Sequence, residues 1–143
     1  MDEAKCGVHK LVADVTVLSV GKVLLVKYKD PANVDGQRGW FLPDDYLHFE
    51  EHPSEAARRI LRKQAGIIAD VETLSHIESF TGGPARAWHL IFHHKVELPR
   101  AEAIRPGSNV AEARWFPVDK MPPRKDVGHG GWAIDVLREV LRR

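Results

Sequence analysis

Residues 39–67, GWFLPDDYLHFEEHPSEAARRILRKQAGI, are laid out as a strand, a sharp loop and one capped helix that stops at glycine. Pro53 suits the first helical turn, where a missing amide proton costs nothing and φ is already near the helical value. Ser54 and Glu55 put a hydroxyl and a carboxylate beside the unpaired N-terminal amides, and Gly66 reads as a left-handed stop. These ends predict a helix over 53–65. Ala57, Leu61 and Ile68 continue one apolar side, with Glu55, Arg58 and Arg62 on a wet one. At about 100° per residue, positions 60, 63 and 64 share a narrow sector at the edge of the apolar side. They hold Ile60, Lys63 and Gln64.

The rest of the chain supplies strands. His9 to Val20 and Lys22 to Tyr28 are β-rich runs joined at Gly21, which predicts a hairpin. Residues 29–39, KDPANVDGQRG, form a polar loop of turn formers. Val71 to Phe80 and Ala87 to Leu98 alternate as two further strands around Thr81-Gly82-Gly83-Pro84, and a second helix is expected at 131–142, with Trp132, Ile134, Val136, Leu137, Val140 and Leu141 as its apolar positions. Strands interrupted by one helix and closed by another predict a mixed sheet between helices.

With 143 residues, the chain is in the range of a single domain, 1–143, and no linker or repeat is visible. A formal net charge of +1 with dispersed Arg and Lys argues against nucleic-acid polymer or an anionic membrane as partner. The start MDEAKCGVHK has acids and no long apolar core, and no run approaches a membrane span, so a cytoplasmic location is expected. Cys6 is the only cysteine. An internal disulfide is excluded, which fits a reducing compartment.

The 39–67 segment resembles the Nudix box of the Nudix hydrolase family: Gly, five residues, Glu, seven residues, then Arg-Glu-apolar-x-Glu-Glu-x-Gly-apolar. Glu51, Arg59, Leu61, Gly66 and Ile67 agree with it without a gap. Gly39-Trp40-Phe41-Leu42-Pro43 looks like the strand that enters the box, although the Gly-Gly that usually follows is Asp44-Asp45. Glu112-Ala113-Arg114-Trp115-Phe116-Pro117-Val118-Asp119 looks like the stretch before the family's last helix. The resemblance implies a Nudix-like α/β/α sandwich and hydrolysis of a nucleoside diphosphate linked to another group. Magnesium or manganese would be the cofactor wherever that activity persists.

The departures fall on the chemistry. The three helix glutamates by which the family holds metal are Ile60, Lys63 and Gln64, so the box is degenerate and its local formal charge moves from minus three to plus one. Divalent cations need hard oxygen ligands at close range. Ordinary pyrophosphohydrolase activity is therefore expected to be absent or strongly reduced. A displaced metal site has candidates in Asp44, Asp45, Glu51 and His52 around the loop, and in His89 and His93, which alternation puts on one face of a strand with His94 opposite. The resemblance also implies a structural pairing of Glu51 with Arg59. Glu112 is a candidate base or metal ligand by the same resemblance, its plainer role being a partner for Arg114. Lys63 would project where metal otherwise neutralises phosphate. Arg38 and Arg86 could add charge-assisted contacts, and Trp40 or Trp88 could stack a flat group. Three classes remain open: a hydrolase, a binder of a nucleotide-like or phosphorylated ligand, and an interaction module for which a homodimer is the candidate assembly.

Overall fold

The computed structural model describes residues 9–83 and 85–143; Cys6 and Pro84 lie outside them. Strands β1 (His9–Ser19) and β2 (Lys22–Tyr28) open the fold as a hairpin. Val20 and Gly21 both have positive φ, 48° and 72°, the pair of left-handed residues that a tight two-residue hairpin turn demands. Short β3 (Asp44–Tyr46) follows, then helix α1 (Pro53–Ala65), strands β4 (Thr73–Gly82), β5 (Ala87–Glu97) and β6 (Val110–Pro117), and helix α2 (Gly128–Arg142).

The sheet runs β4-β5-β1-β2-β6, with β3 paired to β1 beside that path. Among the strands of the described residues, β1 and β5 are the one parallel pair. β1 and β2 pair at the base of their hairpin, Leu18 with Val23 and Ser19 with Lys22. Further along they part, and residues 41–46 fill the split: the Phe41 and Val26 amides and carbonyls exchange hydrogen bonds, Val15 donates to the Pro43 carbonyl, and β3 pairs with Val12–Asp14. That inserted segment carries the loop into α1, so the start of the box is pinned by backbone on both sides.

Alternation along β1 divides the core. Ala13, Val15 and Val17 face α1, where they meet Ala56, Ala57, Ile60, Leu61 and Ala65. Leu18 faces α2 and packs with Val23, Leu25, Trp40, Leu42, Val136, Leu137 and Val140. The result is an α/β/α sandwich with a mixed sheet. The regular part of α2 begins after His129, Gly130 and Gly131, whose φ values of 53°, 66° and 107° are left-handed.

Helix α1 starts and stops where predicted, though its N-terminal amide is capped by another side chain. His52 Nδ1 accepts from the Ser54 amide at 3.1 Å, filling the place a Ser or Asp takes more often. Gly66, at φ 68°, donates to the Arg62 carbonyl, and Ile67 reaches back to Leu61. Ile68 lies beyond this stop and is exposed, so the helical phase that put it on the apolar side does not extend to it.

Gly128 sits where the start of α2 crosses Phe41. A β-carbon there would fall 2.0 Å from Phe41 Cζ. Gly128→Ala is expected to destabilise the domain by about 2 kcal/mol through overpacking, read as a lower midpoint in urea denaturation.

Candidate ligand-binding site

Two adjoining cavities open at the split between β1 and β2. The larger, about 460 Å³, lies on the α2 face of the sheet. Phe41, Tyr46, Phe80, His89, His129 and Trp132 are among its walls, with Glu78 and Asp35 as polar groups. The smaller, about 200 Å³, is bounded by Lys63 and Gln64 of α1 and by Ser108 and Asn109 before β6. Asn33, Val34, Asp44 and Asp45 line both.

The wall shared with α1 is held by two networks. Arg59, almost fully buried, donates to Glu51 from Nε and Nη2 at 2.9 and 3.0 Å, to Asp45 at 3.0 Å and to the Tyr46 carbonyl at 2.9 Å. Its hydrogen bond holds the Glu51 carboxyl down to about 2. Gln64 is held as firmly. Its Nε2 donates to the Asp44 carbonyl at 2.8 Å, while its Oε1 accepts from the Tyr28 hydroxyl at 2.9 Å, and that hydroxyl accepts from the Asp44 amide. Burial raises the Asp44 carboxyl well above the usual range, with the nearby Asp14 charge adding to it.

Beneath the larger cavity lies a buried row of ionisable groups. Asp14 and His93 have no exposed surface, and His93 Nδ1 donates to Asp14 Oδ2 at 2.6 Å. Its Nε2 donates to Glu78 Oε1 at 2.8 Å. Burial alone would lower the imidazole, but the two carboxylates outweigh it and raise His93 to about 9. Glu78, lowered by that hydrogen bond, is the member of the row that reaches the cavity.

Residues 8–135 match the family model of the NUDIX domain. The chain belongs to the Nudix family. Solved Nudix structures share the fold at low identity. A NUDIX hydrolase from Nitrosomonas europaea is 15% identical with TM-score 0.76, over 94% of this chain and 89% of that one. A MutT NUDIX hydrolase from Burkholderia pseudomallei is 19% identical with TM-score 0.74, over 92% and 97%. The NUDIX domain of Shewanella oneidensis NrtR, solved with ADP ribose, is 21% identical with TM-score 0.70, over 93% and 88%. No curated protein sequence matches.

The divalent ion that Nudix hydrolases hold on the box helix does not fit the residues here. Ile60 is wholly buried against Ala13 and Ala56, both ends of the Gln64 amide are engaged, and Lys63 brings an ammonium. The displaced set does not assemble either. Glu51 and Asp45 are bound to Arg59, His52 caps α1, and His93 is clamped between carboxylates. His89 lines the larger cavity with its Nδ1 on the Ala87 carbonyl. Among the described residues, no three His, Cys, Asp or Glu side chains form a group that could hold a metal ion.

Several other candidates lie away from the cavities. Trp40 is a core side chain, edge-on to Phe116 at 4.8 Å, so it cannot stack a ligand. Trp88 points to the sheet face opposite His89 and donates to Ser79 Oγ. Arg38, in an irregular segment, and Arg86, on a turn, are exposed and line neither cavity. Glu112 bonds Arg114 and lies 3.9 Å from Lys27, so its carboxylate is occupied on the α2 face, away from both cavities. Lys63 alone of the proposed cation contacts lines one. Asp14, Tyr28 and Glu78 were missed by sequence reasoning. Asp14 carried a signal, a charged residue inside the apolar run LVADVTVL.

Proposed function

We propose that this Nudix protein, acting as a single cytosolic domain, binds a nucleotide-like or phosphorylated ligand and has little or no ordinary magnesium- or manganese-dependent pyrophosphohydrolase activity. The α1 face carries this reading: where the family presents three carboxylates, this helix presents a buried alkyl chain, an amide fixed to the 44–46 segment and an ammonium with no ion pair among the described residues. An ammonium attracts phosphate directly, as a compact point charge. The aromatic walls next door suit a flat ring. The ADP ribose bound to the Shewanella oneidensis NUDIX domain supports that ligand class.

A hydrolase with a displaced metal is less well supported, because its donors are engaged in ion pairs and caps. A homodimer is the macromolecular partner favoured by one observation: Leu74 and Ile77 on edge strand β4 and Trp88 on β5 are 46%, 50% and 41% exposed on the sheet face that α1 leaves uncovered.

Thermal denaturation with ADP-ribose, with and without EDTA, tests the main reading. Ligand at a hundred times its Kd stabilises by about 2.7 kcal/mol, equivalent to roughly 5 °C or more in Tm. The shift is expected to persist in EDTA and to be lost in Lys63→Glu. Manganese-dependent release of phosphate-containing products at ordinary enzyme rates would overturn the reading.

A further inference from the structure

The buried Asp14–His93–Glu78 row has no part in holding phosphate, and it is not cheap to build. Two of its members, Asp14 and His93, are fully buried ionisable groups, and among the described residues Asp14 Oδ1 has no hydrogen-bond partner. Burying such groups opposes folding unless the geometry offsets the lost hydration, and an apolar cluster of similar volume generally serves stability as well. The row reaches the surface at one point. The Glu78 side chain is 40% exposed and forms part of the larger cavity's wall.

We infer that Glu78, aimed by the buried Asp14–His93 pair, reads the ligand in the larger cavity, and that this ligand carries a flat heteroaromatic ring with two adjacent N–H donors on one edge, as guanine does. The inference rests on the phosphorylated-ligand reading and names the other end of that ligand.

Three features support the assignment. First, His93 and the Trp132 indole N–H take two acceptor positions of the carboxylate, and an ionised carboxylate has about four, which leaves two for a ligand. Second, a ring platform stands two residues along the same face: Phe80 and His89 are stacked at 4.7 Å with planes 6° apart, and both line the cavity. Phe41, Ile91 and Trp132 form further apolar walls. Third, the charges of the two cavities differ. Among the described residues, Lys10 is the one lysine or arginine lining the larger cavity, and it is tied to Asp35 at 3.0 Å. Lys63 lines the smaller cavity. Phosphate is therefore matched to the smaller cavity and a donor-bearing ring to the larger.

Hydrogen-bond chemistry gives the inference a sign. Guanine offers N1–H and the 2-amino group side by side, and both match a carboxylate. Hypoxanthine keeps the first donor and lacks the second. Adenine places a ring-nitrogen lone pair beside its amino group, so one carboxylate oxygen faces another acceptor. A carboxamide has the opposite preference, since its paired donor and acceptor fit adenine. Glu78→Gln is nearly isosteric, and its amide oxygen still accepts from His93.

Isothermal titration of the full chain in EDTA with GDP, IDP and ADP, for the wild type and Glu78→Gln, is the test. GDP is expected to bind the wild type about tenfold more tightly than ADP or better, with IDP between, and the variant is expected to reverse the order of GDP and ADP. The wild-type ratio needs no variant, and circular dichroism and Tm verify the fold of Glu78→Gln. ADP binding the wild type as tightly as GDP, or an unchanged ratio in the variant, overturns the role of Glu78 and leaves the phosphorylated-ligand reading standing. Failure of all three nucleotides to bind overturns both.

Discussion

Arg59→Met is expected to lower the stability of this domain by about 3 kcal/mol or more, with a fall in Tm on the order of 10 °C. Arg59 is the shared partner of Glu51, Asp45 and the Tyr46 carbonyl, and methionine keeps much of its volume while removing every donor. The loss is large because two carboxylates stay behind in a largely buried place. Part of the effect depends on pH. Glu51 is lowered from 4.5 to about 2, so its contribution, about 3 kcal/mol, is fully present above pH 4.5 and is lost as pH falls toward 2. In Arg59→Met that acid-sensitive part should vanish. Urea denaturation of both proteins across this range measures it; parallel acid limbs would show that the Glu51–Arg59 pair does not carry the dependence.

Ile60→Glu should be comparably damaging, at about 4 kcal/mol near neutral pH. The position is fully buried, bounded by Ala13, Ala56 and Leu47, and a carboxylate there would lose its hydration among alkyl groups. Burial would raise its pKa, so the penalty should shrink as pH falls and the introduced group becomes neutral. Combining it with Lys63→Glu and Gln64→Glu gives the side chains three adjacent carboxylates that repel one another. Manganese should then recover part of the lost stability, visible as a rise in Tm that EDTA reverses. A single Ile60→Glu protein as stable as wild type would contradict the closed packing. A triple variant indifferent to manganese would show that the surrounding wall has diverged as well.

Local chemistry made much of the fold legible. Pro53 and Gly66 bound α1 because proline and glycine act through their own backbones, whatever packs against them. The hairpin at Gly21 and the long alternating strands were visible for the same reason. β3 was not, since Asp44-Asp45-Tyr46 has no strand-like composition and pairs only because it is wedged beside Val12–Asp14. β6 is legible only as the stretch before the family's last helix; it forms a strand because Lys22–Tyr28 offers it an edge to pair with. For the site, the identities of Ile60, Lys63 and Gln64 on one sector of α1 could be read directly. The engagement of Gln64 by Tyr28, and of His93 by Asp14, could not, because the partners are 36 and 79 residues apart and no local pattern encodes such pairs. Trp40 shows the converse error: an aromatic beside the box looked available, yet its neighbours on β6 and α2 enclose it.

The parallel alignment of β1 with β5 also has a consequence for the order in which this chain can fold. Asp14 meets His93 across that pairing, 79 residues later. Contacts of such separation slow folding, since a long loop must close before they form. During synthesis the β1–β2 hairpin and α1 emerge with one edge of β1 unsatisfied until β5 follows. Until then an apolar strand from Leu11 to Leu18 offers its backbone to any passing chain, which makes the half-made protein the form most exposed to aggregation and to chaperone capture.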